Sequence, residues 1–214
     1  KSNADISVLY KAVDDAKDEY WACDTLTMDR DHRISEIVKN NGKFKNRNIS
    51  LEAYILSKKL FIELVKKAAK TSSIFWFKDI LAESCDELVI KGVSLRGYLG
   101  CINYLGGYYK VNMELKNYEI AKELFKDDWP IHTKTNDSAP TYFSEDAKVQ
   151  GSVIANGCVI EGEVINSVIG RNVKIKKGSI VKNSIILPEA YIGNDVNLDT
   201  AIVDKHAVVN KVKE

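Results

Sequence analysis

Near the end of the chain, aliphatic residues recur at a constant interval of 17 residues. The repeated series are Ile169, Ile186 and Val203; Ile175, Ile192 and Val209; and Val181 and Leu198. Within one interval, neighbouring aliphatic positions lie about six residues apart, as expected of short strands separated by tight corners in a hexapeptide β-helix. The alternative is a run of sandwich strands, but sandwiches rarely keep one period over three turns. The pattern therefore predicts a parallel β-helix with one inward side chain per strand.

Glycine or asparagine stands at many of the predicted corners between these strands. The positions are Gly157, Gly170, Gly178, Gly193 and Asn194. Glycine enters the left-handed region of positive φ without steric cost, and asparagine enters it more readily than most residues. We therefore expect left-handed backbone at these corners.

The first part of the chain follows a different pattern. The predicted strands cover Ile6 to Val13, Trp21 to Met28, Arg33 to Val38 and Asn48 to Leu56, with a polar turn from Asp29 to His32. Short β-forming runs separated by polar turns are typical of antiparallel strands. We expect such strands to form the start of an α/β region.

Helical spacing begins after the fourth predicted strand. The residues of one helical face are Leu60, Phe61, Leu64, Val65 and Ala68. Ser57 is placed to cap this helix, which should end near Lys70. Further predictions are a helix over Phe75 to Ser84, two strands across Leu88 to Ile102, helices over Tyr104 to Leu115 and Tyr118 to Phe125, and an irregular segment from Asp128 to Pro140.

The charges of this 214-residue chain nearly cancel, with 31 Lys and Arg against 30 Asp and Glu and a net charge of +1. Because no basic block is present, the sequence gives no electrostatic reason to expect a nucleic-acid partner. No stretch approaches the roughly twenty apolar residues of a bilayer span, so no membrane partner is expected either.

Four cysteines and three histidines are scattered without the spacing of a zinc site or a disulfide framework. The cysteines are Cys23, Cys85, Cys101 and Cys158. We expect them to be reduced thiols of a cytoplasmic protein. The first residues, 1–4, read as a cloning remnant, and no Gly-rich phosphate loop follows a strand, so we expect the chain to be a piece of something longer.

Three stretches carry a resemblance to a known family. They are Tyr108-Tyr109-Lys110-Val111-Asn112, Ile154-Ala155-Asn156-Gly157-Cys158-Val159-Ile160-Glu161-Gly162 and Asn166-Ser167-Val168-Ile169, with Trp129-Pro130-Ile131-His132-Thr133 leading toward Pro140 before the repeats. In this arrangement the chain resembles the C-terminal half of the bacterial ADP-glucose pyrophosphorylases, which are glucose-1-phosphate adenylyltransferases.

The resemblance implies the fold class: an α/β partial nucleotidyltransferase domain followed by a left-handed parallel β-helix of hexapeptide repeats. It implies a nucleotidyltransferase-like part at 5–128, a linker at 129–140 and the β-helix at 141–214. In that family the enzyme joins ATP to glucose-1-phosphate and releases pyrophosphate, and the β-helix serves oligomer contacts and regulation. The nucleotide loop of the family lies in the half that this chain lacks.

Several positions of the sugar-phosphate site depart from the family pattern that the resemblance implies. The family's Glu-Lys-Pro aligns with Lys39-Asn40-Asn41, so that its lysine position holds Asn40. Lys39 is adjacent, but neighbouring residues of a strand face opposite sides, so it does not simply replace the missing charge.

Two further departures concern a glycine and a metal ligand. The family's Ser-Met-Gly aligns with Ser50-Leu51-Glu52, which places a carboxylate where the family has only a hydrogen. The family's metal-binding aspartate aligns with Cys101, and Mg²⁺ prefers hard oxygen ligands to a thiol. The pair Lys78-Asp79 matches a Lys-Asp of the family, with a solvated helix-face pair as the alternative interpretation.

Loss of a cation and of a metal ligand should remove most nucleotidyl transfer. The pattern resembles the non-catalytic GlgD-type subunit, so the leading hypothesis is a regulatory subunit that assembles with a catalytic subunit in glycogen biosynthesis. We expect no cofactor in this chain, although the family enzyme uses Mg²⁺. We also expect a homo- or hetero-oligomer through the β-helix, and self-association of this piece through open apolar edges.

Other classes of function stay open on the sequence alone. An active sugar-phosphate nucleotidyltransferase subunit with unusual site residues is the nearest. In a hexapeptide-repeat acyltransferase, His206 would be the candidate base, although it occupies an ordinary corner position. A structural scaffold without a ligand is the third.

Overall fold

The alternating residues of the first part form one mixed five-stranded sheet in the computed structural model, which describes residues 3–211. Its strands are β1 (Ile6–Val13), β2 (Asp24–Met28), β3 (Ile34–Lys39), β4 (Arg47–Leu56) and β5 (Ile90–Ser94). Their order across the sheet is β3-β2-β4-β1-β5. All neighbours are antiparallel except β1 and β5, which are parallel. The expected antiparallel group at the start of the chain is therefore confirmed.

Two strand predictions need correction. β2 begins at Asp24 rather than Trp21, because Tyr20 and Ala22 have left-handed φ values of 55° and 58° and form a turn. Only one strand, β5, forms where two were predicted after Leu88. Leu99 and Cys101 of the expected second strand instead pack against an apolar cluster of Ala16, Tyr20 and Ile49.

Two helices accompany this sheet, α1 (Lys58–Thr71) and α2 (Phe77–Glu83). Ser57 caps α1 as predicted, and its Oγ accepts a hydrogen bond from the backbone N–H of Leu60 at 3.2 Å. Leu64 and Ala68 are buried, whereas Phe61 and Val65 of the predicted face are exposed. Fewer residues of α1 are therefore buried in the core than the helical spacing predicted.

Two more helices precede the solenoid, α3 (Leu105–Glu114) and α4 (Tyr118–Leu124), close to their predicted bounds. Residues 130–141 contain no helix or strand, as expected for the irregular segment. The chain divides into two compact units between Asn103 and Tyr104. The division proposed from the resemblance lies later in the chain and stays a prediction. Residues 1 and 2 of the expected remnant lie outside the described residues.

The repeated aliphatic positions form a parallel β-solenoid with three sheets. The first sheet contains β6 (Tyr142–Phe143), β9 (Val159–Ile160), β12 (Lys174–Ile175), β15 (Tyr191–Ile192) and β18 (Val208–Val209); the second contains β7 (Lys148–Gln150), β10 (Glu163–Ile165), β13 (Ile180–Lys182) and β16 (Asn197–Asp199); the third contains β8 (Val153–Ile154), β11 (Val168–Ile169), β14 (Ile185–Ile186) and β17 (Ile202–Val203). Each strand hydrogen-bonds only to the equivalent strands of adjacent coils. The predicted parallel β-helix is therefore confirmed.

Inward aliphatic residues of successive strands fill most of the axial core of the solenoid. Ile160, Ile175 and Ile192 stack in one row and are fully buried. Equivalent residues of later coils are 17 positions apart, as between Ser167 and Ser184. An earlier coil is shorter, since Ser152 and Ser167 are 15 positions apart. The 17-residue interval is thus interrupted at one coil, since Tyr142 and Val159 at the start of the solenoid are again 17 positions apart.

The left-handed corners are only partly those predicted. Gly157 and Gly178 have φ values of 81° and 76°, but Gly170, Gly193 and Asn194 do not have positive φ. Gly170 is needed for close approach instead, because a Cβ there would lie 2.7 Å from the backbone nitrogen of Pro188. Other left-handed solenoid residues are Gly151, Asn166, Asn172, Asn183, Glu189, Asp195, Thr200 and His206.

A ladder of serines stabilises one corner of the solenoid. Ser167 Oγ accepts a hydrogen bond from the N–H of Ser184 at 3.0 Å and donates one to the carbonyl of Ile165 at 2.7 Å. Ser184 Oγ likewise accepts from the N–H of Ala201 at 3.1 Å. Both serines are fully buried, so each hydroxyl satisfies backbone groups that would otherwise lack a partner. No α-helix within residues 3–211 has the length and apolar character needed to cross a bilayer.

Candidate functional site

A cluster of one cation and two carboxylates lies on the mixed sheet. Lys78, near the start of α2, places its Nζ 3.5 Å from Glu52 Oε1 and 3.9 Å from Asp24 Oδ2. Asp24 opens β2 and Glu52 lies in β4, so three elements supply the cluster. Both carboxylates therefore compete with any anion for the charge of Lys78.

The backbone at Glu52 has the geometry of a glycine position. Its φ is 53°, in the left-handed region, where a non-glycine residue in a strand is strained. The register between β1 and β4 shifts here, because Val8 pairs with Tyr54 and Tyr10 pairs with Ser50. This β-bulge turns the Glu52 side chain toward Lys78. Ser50 supports it, since its Oγ accepts a 3.3 Å hydrogen bond from the N–H of Glu52.

Asp24 is the member of the cluster that the sequence did not predict. Its side chain is buried, and burial is the largest influence on its carboxyl, which raises the pKa above its usual value despite the opposing effect of Lys78. The pKa of Tyr54 is raised to about 12, chiefly by burial and then by the charges of Glu52 and Asp24. Asp24 lay within the strand predicted over Trp21 to Met28, but its place opposite Lys39 is visible only in the structure.

Lys39 and Asp79 lie at the border of the cluster with different roles. Lys39 is exposed at the end of β3, and its residue pairs with Asp24 across the sheet. Asp79 accepts a 2.8 Å hydrogen bond from the N–H of Trp76 through Oδ2, and so caps the start of α2. Lys78 and Asp79 thus make different contacts: the ammonium group lies beside Glu52 and Asp24, whereas the carboxylate caps α2.

Asn40 has a structural role that its predicted position did not indicate. It is buried just after β3, and its Nδ2 donates to the carbonyl oxygens of Ala16 at 2.7 Å and Tyr20 at 3.0 Å. Its Oδ1 accepts from the N–H of Gly42 at 3.1 Å. The amide therefore joins two loops by hydrogen bonds and is not directed at Lys78. A lysine could not form the same set of bonds, because an ammonium group cannot accept the bond from Gly42.

Cys101 lies opposite Cys23, and Cys23 is the residue that directly precedes Asp24 in the sequence. The two Sγ atoms are 3.7 Å apart, and both residues are half-buried. Burial, followed by the charge of Cys101, raises the pKa of the Cys23 thiol to about 12. Within the described residues 3–211, no cluster of three or more His, Cys, Asp or Glu residues is suited to hold a metal ion. The two thiols are soft ligands and do not fit Mg²⁺, which requires oxygen ligands.

His206 lies at a corner of the solenoid, in the second unit. It is exposed, with a φ of 59°, and its Nδ1 lies 3.0 Å from Glu189 Oε2. Glu189 is the equivalent corner residue one coil earlier and also has a left-handed backbone. The imidazole is therefore positioned as a surface partner of the neighbouring coil.

Comparison with known proteins gives one family and a set of relatives. Residues 139–214 match the family described as GlmU-like, C-terminal hexapeptide. Over 180 residues the chain is 33% identical to the glucose-1-phosphate adenylyltransferases of Bacillus thuringiensis (strain Al Hakam) and Bacillus anthracis. It is 32% identical over the same length to that of Bacillus mycoides (strain KBAB4).

The matches cover most of this chain but only part of each relative. They include 81% of the chain and 48% of each of these relatives. The chain thus spans about half the length of the curated relatives it matches. It corresponds to their C-terminal portion, which includes the hexapeptide repeats.

Proposed function

Because this chain is related to the glucose-1-phosphate adenylyltransferases, we propose that it is the C-terminal portion of a regulatory subunit of that enzyme, of the GlgD type, in glycogen biosynthesis. The catalytic partner would convert ATP and glucose-1-phosphate into ADP-glucose and pyrophosphate. The regulatory subunit would contribute through assembly, with little or no activity of its own.

The observation that carries this proposal is the backbone of Glu52. Its left-handed φ of 53° supports the alignment of this position with a glycine of the family. The carboxylate at this position lies 3.5 Å from the ammonium group of Lys78. A sugar phosphate approaching Lys78 would meet a cation already paired with Glu52 and Asp24, and would be repelled by both carboxylates.

The substitution of Cys101 supports the same proposal. Nucleotidyl transfer needs positioned cations to neutralise the charge that develops on the phosphates. Where the resemblance expects an aspartate for Mg²⁺, this chain has a thiol that faces Cys23. We derive no catalytic step through Mg²⁺ at these residues, because their donor atoms do not fit the ion.

The outer surface of the first solenoid sheet supports assembly through the β-helix. Its outward row contains Tyr142, Val159, Lys174, Tyr191 and Val208 in parallel register. Tyr142 and Val208 are 60% and 65% exposed. Aromatic and aliphatic side chains on a flat sheet are suited to a protein partner. The partner we propose is a catalytic subunit or a second copy of this chain.

The test is ADP-glucose formation by the intact protein that carries this chain, assayed alone and mixed with the catalytic paralogue from the same source. We expect no activity alone, and a changed rate or effector response in the mixture. Enzyme-like rates without the partner would contradict the proposal and support the active-subunit alternative.

A variant of the intact protein gives a sharper comparison. Glu52→Gly with Cys101→Asp replaces two substituted residues by those that the resemblance implies. If these residues limit activity, the double variant should bind glucose-1-phosphate more tightly in calorimetry than the parent does. Glu52→Gln is the control, because it removes the charge but keeps the side chain. Binding of acetyl-coenzyme A by any of these proteins would favour the acyltransferase alternative instead.

A further inference from the structure

Two cysteines that are distant in sequence meet in the first unit. Cys23 and Cys101 are separated by 78 positions, and their Sγ atoms are 3.7 Å apart. A disulfide requires an S–S distance of about 2.05 Å, so the sulfurs need to approach by roughly 1.7 Å. Cys101 belongs to an irregular segment that follows β5 and has no strand partner. This segment can make that adjustment without breaking a sheet.

The contact between these segments is held by further residues. Asn103 directs its Nδ2 toward Cys23 Sγ at 3.8 Å and also donates to the carbonyl of Trp21. Leu99 packs, with Cys101, against the apolar cluster that contains Ala16. The two thiols are therefore kept close by polar and apolar contacts on both sides.

The other two cysteines of the chain are natural controls. Cys85 is 5% exposed and Cys158 is 1% exposed, and each thiol donates to backbone carbonyls nearby. Cys23 and Cys101 are both half-buried, so a small reagent can reach them more easily. Accessibility and proximity together distinguish one pair among the four thiols.

We propose that Cys23 and Cys101 are a reversible modification site, which closes to an intramolecular disulfide by exchange with a small-molecule disulfide such as oxidised glutathione. The Cys101 thiolate attacks one sulfur of the small disulfide, forms a mixed disulfide and releases one thiol. The Cys23 thiolate then attacks the Cys101 sulfur and releases the second thiol. The two cysteines lose two electrons, which reduce the small disulfide, and their protons end on the released thiols.

The order of attack follows from the surroundings of Cys23. Because the pKa of its thiol is raised to about 12, Cys23 is a poor first nucleophile near neutral pH. The charge of Cys101 is one cause of that shift, after burial. Once Cys101 is bonded to the small thiol it carries no charge, so this contribution disappears and the second step becomes easier.

Closure would tie the start of β2, directly before Asp24, to the segment that follows β5. The inference does not depend on the proposed function, because it concerns two thiols and an oxidant of stated class. In a reducing cytoplasm the pair would stay open, and it would close as the ratio of oxidised to reduced glutathione rises.

The test uses the full 214-residue chain in buffers of defined glutathione ratio. After equilibration, free thiols are blocked with N-ethylmaleimide and peptides are identified by mass spectrometry under non-reducing conditions. We expect one cross-linked peptide pair containing Cys23 and Cys101, joined within one chain and not between two chains, that dithiothreitol reverses. Cys85 and Cys158 should be blocked only after denaturation. The oxidised form should melt at least ~5 °C higher, because a long loop is closed.

Single variants test the order of the steps. Cys23→Ser should accumulate one glutathione on Cys101. In Cys101→Ser, glutathione should attach to Cys23 at a rate at least roughly tenfold lower. Cys85→Ser should behave like the parent. Free thiols at both positions in strongly oxidising buffer would overturn the proposal, as would a cross-link to Cys85, to Cys158 or between two chains. The result with the parent chain decides this even if a variant fails to fold.

Discussion

The solenoid and the mixed sheet bury their strands in different ways. In the solenoid, each inward residue stacks on an equivalent residue of the next coil, as Ile175 does between Ile160 and Ile192. In the mixed sheet, each position has surroundings found nowhere else, as at the bulge of Glu52. Repetition therefore makes the solenoid predictable from its sequence. The residues that depart from the pattern implied by the resemblance, Asn40, Glu52 and Cys101, all lie outside the repeats, where no equivalent neighbour constrains a residue.

The largest expected effect on stability comes from a substitution that interrupts the repeated packing of the solenoid core. Ile175→Ala removes a fully buried side chain and should lower the free energy of unfolding by about 2–5 kcal/mol. Lys174→Ala, in the same strand but exposed, should change it by no more than about 0.5 kcal/mol. Urea unfolding followed by circular dichroism measures both. If the three stacked isoleucines have equivalent surroundings, Ile160→Ala and Ile192→Ala should lower the free energy of unfolding by the same amount as Ile175→Ala, within about 1 kcal/mol. Widely different losses would contradict this.

The next effect concerns the serine ladder. Ser167→Ala removes the acceptor for the N–H of Ser184 in a buried corner, and should cost about 1–3 kcal/mol because that donor loses its partner. Ser152→Ala is the matched comparison, since Ser152 Oγ accepts the same kind of bond from the N–H of Ser167 at 3.0 Å but is only partly buried, and it should cost less. Denaturant unfolding of the two variants checks the difference. An equal, negligible cost for both would mean that water replaces the hydroxyl.

In the mixed sheet, two variants of Glu52 separate backbone strain from charge. Glu52→Ala removes the carboxylate but keeps a Cβ at a φ of 53°, whereas Glu52→Gly removes both. The glycine variant should therefore unfold with a free energy about 1 kcal/mol higher than that of the alanine variant. The difference in the free energy of unfolding between these two variants is measured by urea unfolding at one pH. An alanine variant as stable as the glycine variant would show that the bulge is not strained.

The smallest expected effect is a pH dependence at Asp24. Its folded-state pKa is raised, so the folded chain binds more protons than the unfolded chain between the two pKa values. The contribution of Asp24 to stability should therefore fall as pH rises from about 4, the unfolded value, through the folded pKa. Asp24→Asn should remove this slope. Unfolding free energies of parent and variant from pH 4 to pH 7 measure it, and parallel curves would contradict the prediction.

Much of the fold could be predicted from the sequence because its periods are simple. The interval between Ile169 and Ile186 predicted the coil, and the polar turn before Arg33 predicted the hairpin of β2 and β3. Strand ends were less predictable, since left-handed backbone at Tyr20 and Ala22 gives no signal in residue type. The same limit applies to Glu189 and His206 at the solenoid corners.

The candidate site was predictable only in part. Glu52, Lys78 and Cys101 were identified by position in a resemblance, and the left-handed φ of Glu52 gives that alignment a physical basis. Asp24 and Cys23 were missed, because each acquires its role from a partner far away in sequence. Asn40 stood at the expected place, but its hydrogen bonds to two loops could not be inferred from one strand pattern.

The seventeen-residue coil also sets how this molecule would respond to a pulling force. One such coil, as between Ser167 and Ser184, can extend to at most about 60 Å, whereas adjacent coils of the stack are only about 5 Å apart. Peeled from one end, the solenoid would lengthen in nearly equal steps, each coil acting as a unit of extension. The coil of 15 residues between Ser152 and Ser167 would give one shorter step.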